Sequence, residues 1–135
     1  EFGMTKAPNL RPDKRSVLRN FIADFAQLPF DEHCVLPYAT VRAEIWKTHG
    51  TPKSRSGTHK ERRPEELLDK ITGAELGIDE PDLMIASIAM AQNLVLVTDD
   101  RNAGMARVKQ AADAVFQKGL FPVQLRIENW LGALI

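Results

Sequence analysis

Apolar residues recur at helical spacing early in the chain. Val17, Phe21, Phe25 and Leu28 form one stripe, widened by Leu18 and Ile22. Pro12 suits a first helical turn and Asp13 the positive end of its dipole, so a helix is predicted from residue 12. Leu28-Pro29-Phe30 reads as a brief edge strand. Asp31 is a good N-cap for a second helix with Val35, Tyr38, Val41 and Ile45 on one face. Pro37 falls in its early turns, and Gly50 is its stop.

Residues 51–63 predict a loop. Pro64, Glu65 and Glu66 then open a third helix, with Leu67, Leu68, Ile71 and Leu76 as its apolar side and Gly77 at its end. A fourth helix starts near Asp79 or Glu80. Leu83, Ile85, Ala86, Ile88, Ala89 and Met90 make it apolar nearly all round, which predicts deep burial. Asn93 can supply a left-handed cap. Leu94-Val95-Leu96-Val97-Thr98 follows without alternation, as in a strand covered on both faces. Residues 103–118 predict a fifth amphipathic helix, and Val123 to Ile127 a half-exposed strand. Strand, helix and strand at this spacing make a right-handed βαβ unit. The fold class is therefore α/β.

Composition narrows the class of protein. The 135 residues suit one domain, and 44% hydrophobic with 27% charged residues is ordinary for a globular chain. Eighteen basic residues balance eighteen acidic ones, so no global charge pulls the chain toward nucleic acid or membrane. The single cysteine, Cys34, excludes an internal disulfide and reads as a buried thiol. No apolar run approaches the roughly 18–20 residues of a membrane span. With no signal peptide visible, a cytoplasmic setting is expected. Glu1-Phe2-Gly3 ahead of Met4 reads as a cloning remnant, leaving 4–135 as one domain.

Two carboxylate positions carry candidate chemistry. Asp82 lies in the first turn of the buried fourth helix, and Asp99 and Asp100 follow the 94–98 strand. A short turn at Asn93 runs that helix and strand antiparallel, so helix start and strand end share one sheet edge. Ligands of α/β sheets bind at the carboxyl ends of strands. Carboxylates converging there, with Asn102 nearby, suit Mg²⁺ or Mn²⁺. The plainer reading is dipole chemistry for Asp82 and turn composition for Asp-Asp-Arg-Asn. The basic residues Lys53, Arg55, Lys60, Arg62 and Arg63 either contact RNA phosphates or form a solvated insertion.

The segment Ile78-Asp79-Glu80-Pro81-Asp82-Leu83-Met84-Ile85-Ala86-Ser87, followed by Asn93 to Asn102, resembles the C-terminal half of a PIN domain. It is similar to the VapC-like toxin ribonucleases of bacterial toxin–antitoxin systems. Arg126-Ile127-Glu128-Asn129-Trp130 matches their closing strand. Leu28-Pro29-Phe30-Asp31 and Tyr38 to Glu44 resemble their mid-chain strand and following helix, so the matches run with gaps from about residue 28 to 130. The resemblance implies a three-layer fold, here an incomplete parallel sheet with helices on both faces. It also implies a Mg²⁺- or Mn²⁺-dependent endoribonuclease site. Asp82 and Asp100 would be catalytic and hold the metal, assisted by Asp99, with Thr98 and Asn102 orienting ligands. An antitoxin-like partner, RNA and a homodimer are implied partners.

The departures from that pattern matter equally. The family's first strand with its Asp motif, and a later helical Glu, have no counterpart here. The Phe after the last acidic turn is replaced by Ala103-Gly104-Met105, and residues 51–77 resemble an insertion. The expectation is a truncated chain of impaired activity, unless another chain or an upstream segment supplies the missing acids. A degenerate module that only binds protein or RNA is the alternative, and a generic doubly wound binding domain a third. A missing central strand would leave the 94–98 strand with an open edge. Phe21, Phe25 and residues 130–135 would add apolar surface, so a two-fold homodimer is expected.

Overall fold

The computed structural model describes residues 11–49 and 63–131. Among these, four α-helices and a small two-stranded parallel sheet form a mixed α/β fold. The helices are α1 (Pro12–Ala23), α2 (Glu32–His49), α3 (Glu80–Ala91) and α4 (Ala103–Gln117). The strands are β1 (Val95–Val97) and β2 (Arg126–Glu128), and a 3₁₀ turn spans Pro64–Glu66. None of these helices is long and apolar enough to cross a membrane.

α2 begins where Asp31 accepts the backbone N–H of His33 at 3.0 Å, the capping bond its position predicts. Its buried residues are Cys34, Pro37, Val41, Glu44 and Ile45. Val35 is exposed, so the buried face is rotated from the predicted one. α2 packs against both α3 and α4. Val41, Ile45, Leu83, Met90, Val108 and Val115 meet in the core between these three helices. α3 buries Leu83, Ala86, Ser87, Ala89 and Met90 but leaves Ile85 exposed, so it is covered less completely than its apolar composition predicts, and Asn93 follows it with a φ of 51°.

β1 and β2 pair in parallel, Val95 with Arg126, Leu96 with Ile127 and Val97 with Glu128, with α4 as the crossover. Arg126 donates to the Asn93 backbone carbonyl at 3.0 Å, fastening the start of β2 to the α3–β1 turn. The strands are shorter than predicted. β1 is not covered on both faces: Leu96 and Ile127 pack on the core, whereas Leu94 and Val97 are exposed.

Two further expectations fail. Leu28-Pro29-Phe30 forms no strand. The third helix does not form either; after the 3₁₀ turn the chain makes a hairpin with a Leu68–Glu75 antiparallel bridge. Asp69 takes the N–H groups of Ile71 at 2.8 Å and Thr72 at 2.9 Å, and Gly73 turns the chain at a φ of 69°. Leu67 and Leu76 from the hairpin's two arms still enter the core. This part of the supposed insertion is thus built into the domain. Residues 51–62, with Lys53, Arg55, Lys60 and Arg62, and residues 132–135 lie outside the described residues; Arg63 is exposed.

Candidate functional site

The site begins with two chain segments brought together by a glycine. Gly104, in the first turn of α4, packs on Gly77 and Ile78, which lead into α3. A Cβ at Gly104 would lie 2.7 Å from the Gly77 carbonyl carbon and 3.2 Å from Ile78 Cα, and closer still to the Gly77 oxygen. Only the absence of a side chain permits this approach. It sets the start of α3 beside the start of α4, and so beside the loop that leaves β1.

On the α3 side, the Asp79 carbonyl accepts the N–H groups of Asp82 at 3.1 Å and Leu83 at 3.3 Å, opening the helix. Asp82 therefore stands in its first turn, half-buried. The neighbouring Glu80 is committed elsewhere. It accepts the Tyr38 hydroxyl proton from α2, and its own N–H donates to Glu65 at 2.7 Å.

On the β1 side, Thr98 donates its N–H to Glu128 at 3.0 Å, extending the ladder one step. The Thr98 hydroxyl accepts the Asp100 N–H at 3.0 Å, and the Asp100 carboxylate accepts the Asn102 N–H at 2.8 Å. These two bonds bend the chain from strand to helix. Thr98 thus shapes the loop that carries Asp100, while Asn102 is the residue at which α4 starts.

Asp82 and Asp100 interact electrostatically across this junction. Burial raises the Asp82 carboxyl above the ordinary carboxylate range, and the charges of Asp100 and then Asp79 push it further the same way. Asp99 behaves differently. Its carboxylate accepts the Asn129 side-chain amide at 2.7 Å and pairs with Arg101 at 3.5 Å, so it ties the end of β2 to the end of β1.

Sequence reasoning missed Asn129 and the reach of Asp79. Both leave a signal. The Val97–Glu128 register puts the residue after β2 close to those after β1. Asp79 precedes Asp82 by three positions, a near neighbour on a helix.

Asp82, the Asp100 whose charge acts on it, and the exposed Asp99 make a locally negative edge, suited to a hydrated divalent cation more than to any anion. Among the described residues, no three His, Cys, Asp or Glu side chains are grouped so as to hold a metal ion. Compared with protein-family models, with curated proteins and with solved structures, the chain finds no match in any of the three.

Proposed function

We propose that this chain is a PIN-like domain related to the metal-dependent endoribonucleases of toxin–antitoxin systems, with an acidic pair too sparse for efficient catalysis. One observation carries the reading: the Asp82 carboxyl lies in the field of Asp100 where α3 begins and β1 ends. That placement is the one expected of ligands at the carboxyl ends of parallel strands. A three-layer PIN arrangement is part of the proposal; the two-stranded sheet supports only its α/β class.

The donor set fits a divalent cation in kind and falls short in number. Asp82 as an anion is disfavoured by its neighbours, and a cation between Asp82 and Asp100 relieves that repulsion. Bound Mg²⁺ or Mn²⁺ would supply the charge that activates water and neutralises a cleaving phosphodiester. Asp82 and Asp100 would hold it, with Thr98 and Asn102 fixing the Asp100 loop. Two carboxylates leave most coordination positions to water, so binding is weak and RNA cleavage slow.

A second reading is a non-catalytic module for a protein or RNA partner. The engagement of Asp99 by Asn129 and Arg101 favours it, because that removes one acid from the metal's reach. Titration of the full chain with Mn²⁺, followed by paramagnetic broadening of backbone amides, separates the two. The nuclease-related reading requires broadening first at Asp82 and Asp100, abolished in Asp82→Ala. Broadening confined to other acids, or none at millimolar Mn²⁺, leaves the non-catalytic module.

A further inference from the structure

Leu76 closes the 67–76 hairpin and is fully buried. Both of its backbone groups are engaged. Its N–H donates to the Leu67 carbonyl at 3.3 Å, across the hairpin. Its carbonyl, which burial removes from water, accepts from the Arg107 guanidinium of α4. A charged donor makes this a stronger tether than a neutral one. The Asp69 carboxyl, held low chiefly by the N–H groups of Thr72 and Ile71, is lowered further by the Arg107 charge, as a guanidinium lying against the hairpin requires.

Arg107 follows Gly104 by three residues and so shares its face of α4. The two hold consecutive points of one strip of backbone: Arg107 takes Leu76, and Gly104 closes on Gly77 and Ile78. That strip leads into α3, where Asp82 stands four residues beyond Ile78. The same helix carries the second acid. Asn102 caps α4 and donates its N–H to the Asp100 carboxylate at 2.8 Å, so Asp100 moves with the start of α4. α4 therefore controls both carboxylates, Asp100 through its cap and Asp82 through the 76–78 strip.

We propose that Arg107 is a positioning residue for the acidic pair: by fastening the Leu76 carbonyl to α4, it fixes the separation of Asp82 and Asp100. Without this bond a buried carbonyl loses its partner, and the strip relaxes away from α4 toward water. Asp82 goes with the strip, while Asp100 stays on the α4 cap. The consequence for a bound cation rests on the function proposed above; the separation of the two carboxylates does not.

A double-mutant cycle tests the separation without any metal. Asp82→Asn, Asp100→Asn and the pair are compared by urea unfolding at neutral pH, in the parent and in Arg107→Met, which keeps an apolar stem. In the parent the two substitutions should depart from additivity by about twofold or more in the unfolding constant, because each removes the repulsion felt by the other. Arg107→Met should make them additive, and Arg107→Lys, which retains a charged donor, should restore the departure. A general loss of stability cancels in the cycle, so a merely structural role of Arg107 would not move it. Lys109→Met removes the Lys109–Asp113 ion pair from another face of α4 and should leave the departure as it is in the parent.

Isothermal titration of the same variants with Mn²⁺ reads the cation. Arg107→Met should weaken binding about tenfold, the low end for groups that orient metal ligands. Additivity in the parent, a departure that survives Arg107→Met, or one lost equally in Lys109→Met overturns the inference. Coupling that depends on Arg107, with no Mn²⁺ bound, keeps the inference and removes the nuclease-related reading. Mn²⁺ binding at Asp82 and Asp100 alongside a coupling indifferent to Arg107 does the reverse.

Discussion

Asp82, in the first turn of α3, lies in the field of Asp100, beyond the end of β1, and its carboxyl is held above the ordinary range. Burial is the larger cause, followed by the charges of Asp100 and Asp79. The folded state therefore binds a proton that the unfolded chain releases sooner. Stability from this group is fully present below the unfolded aspartate value and falls as pH rises through the folded one. At neutral pH the ionised carboxyl is a net cost. Asp82→Asn should raise the melting temperature at pH 7 by up to about 4 °C. The gain should fade below about pH 3.5, where both forms are neutral. Calorimetry across pH on both proteins checks it; a gain constant with pH would mean that neither burial nor the neighbouring charges raise the Asp82 carboxyl in the folded state.

The three acids near β1 should separate in a metal titration. The charge of Asp100 acts on Asp82, whereas Asp99 is held by Asn129 and Arg101. Asp82→Ala and Asp100→Ala should each reduce Mn²⁺ affinity at least about tenfold, the loss of one of two carboxylate ligands. Asp99→Asn should change it less than about twofold while loosening the β1–β2 end, because the altered group fastens the strands. Isothermal titration with Mn²⁺ reads the affinity, and amide exchange at Thr98 and Glu128 reads the ladder. Equal losses for Asp99 and Asp100 would make all three acids ligands.

Gly104 should be the least replaceable residue near this site. A methyl group there meets the Gly77 carbonyl and the Ile78 backbone, neither of which can rotate away. Gly104→Ala should cost at least about 3 kcal/mol, the upper range of overpacking. It should also part the two loops and weaken the Asp82–Asp100 coupling. Gly77→Ala, at a φ of 70° where the added Cβ would meet the Gly104 nitrogen at an ordinary contact distance of 4.0 Å, should cost only about 1 kcal/mol. Urea unfolding of the two variants compares them; similar losses would show that α4 shifts to accept the methyl.

What the sequence made legible follows from how strongly each segment determines itself. α3 declared itself by apolar residues on every side, and Asn93 by its tolerance of positive φ. α4 declared itself by its amphipathic period. The hairpin at 67–76 was misread because Leu67, Leu68, Ile71 and Leu76 mimic a helical stripe. The overriding signal was local: Asp69 followed by Gly73, an acid that turns the chain and a glycine that completes the turn. The two backbone N–H donors also hold Asp69 below the usual carboxylate range, so the turn favours the ionised form. The burial of β1 was overestimated because an apolar run records the preference of a strand and not the number of layers that cover it. Asp82 and Asp100 were placed at one edge by chain direction alone, while the tether on Asp99 came from Asn129, thirty residues away in the chain.

The ion pair between Glu44 and Lys118 offers a test of the core that the sequence did not suggest. Glu44 is 6% exposed on the inner face of α2, between Val41 and Ile45. Lys118 caps α4 and donates to both Glu44 oxygens, at 2.7 and 2.8 Å. Its charge also complements the C-terminal end of α4. Lys118→Met would leave the carboxylate buried without its cation. Stranding a fully buried charge costs about 3–5 kcal/mol, but the Lys118 side chain is half-exposed and water shares its role. The expected loss is therefore about 2 kcal/mol. Glu44→Leu with Lys118→Met removes both charges from an apolar wall and should return to within about 1 kcal/mol of the parent. Urea midpoints for the parent, the two single variants and the pair complete the cycle. A loss under about 0.5 kcal/mol for Lys118→Met would show that solvent already satisfies Glu44 and that the α2–α4 contact rests on apolar packing alone.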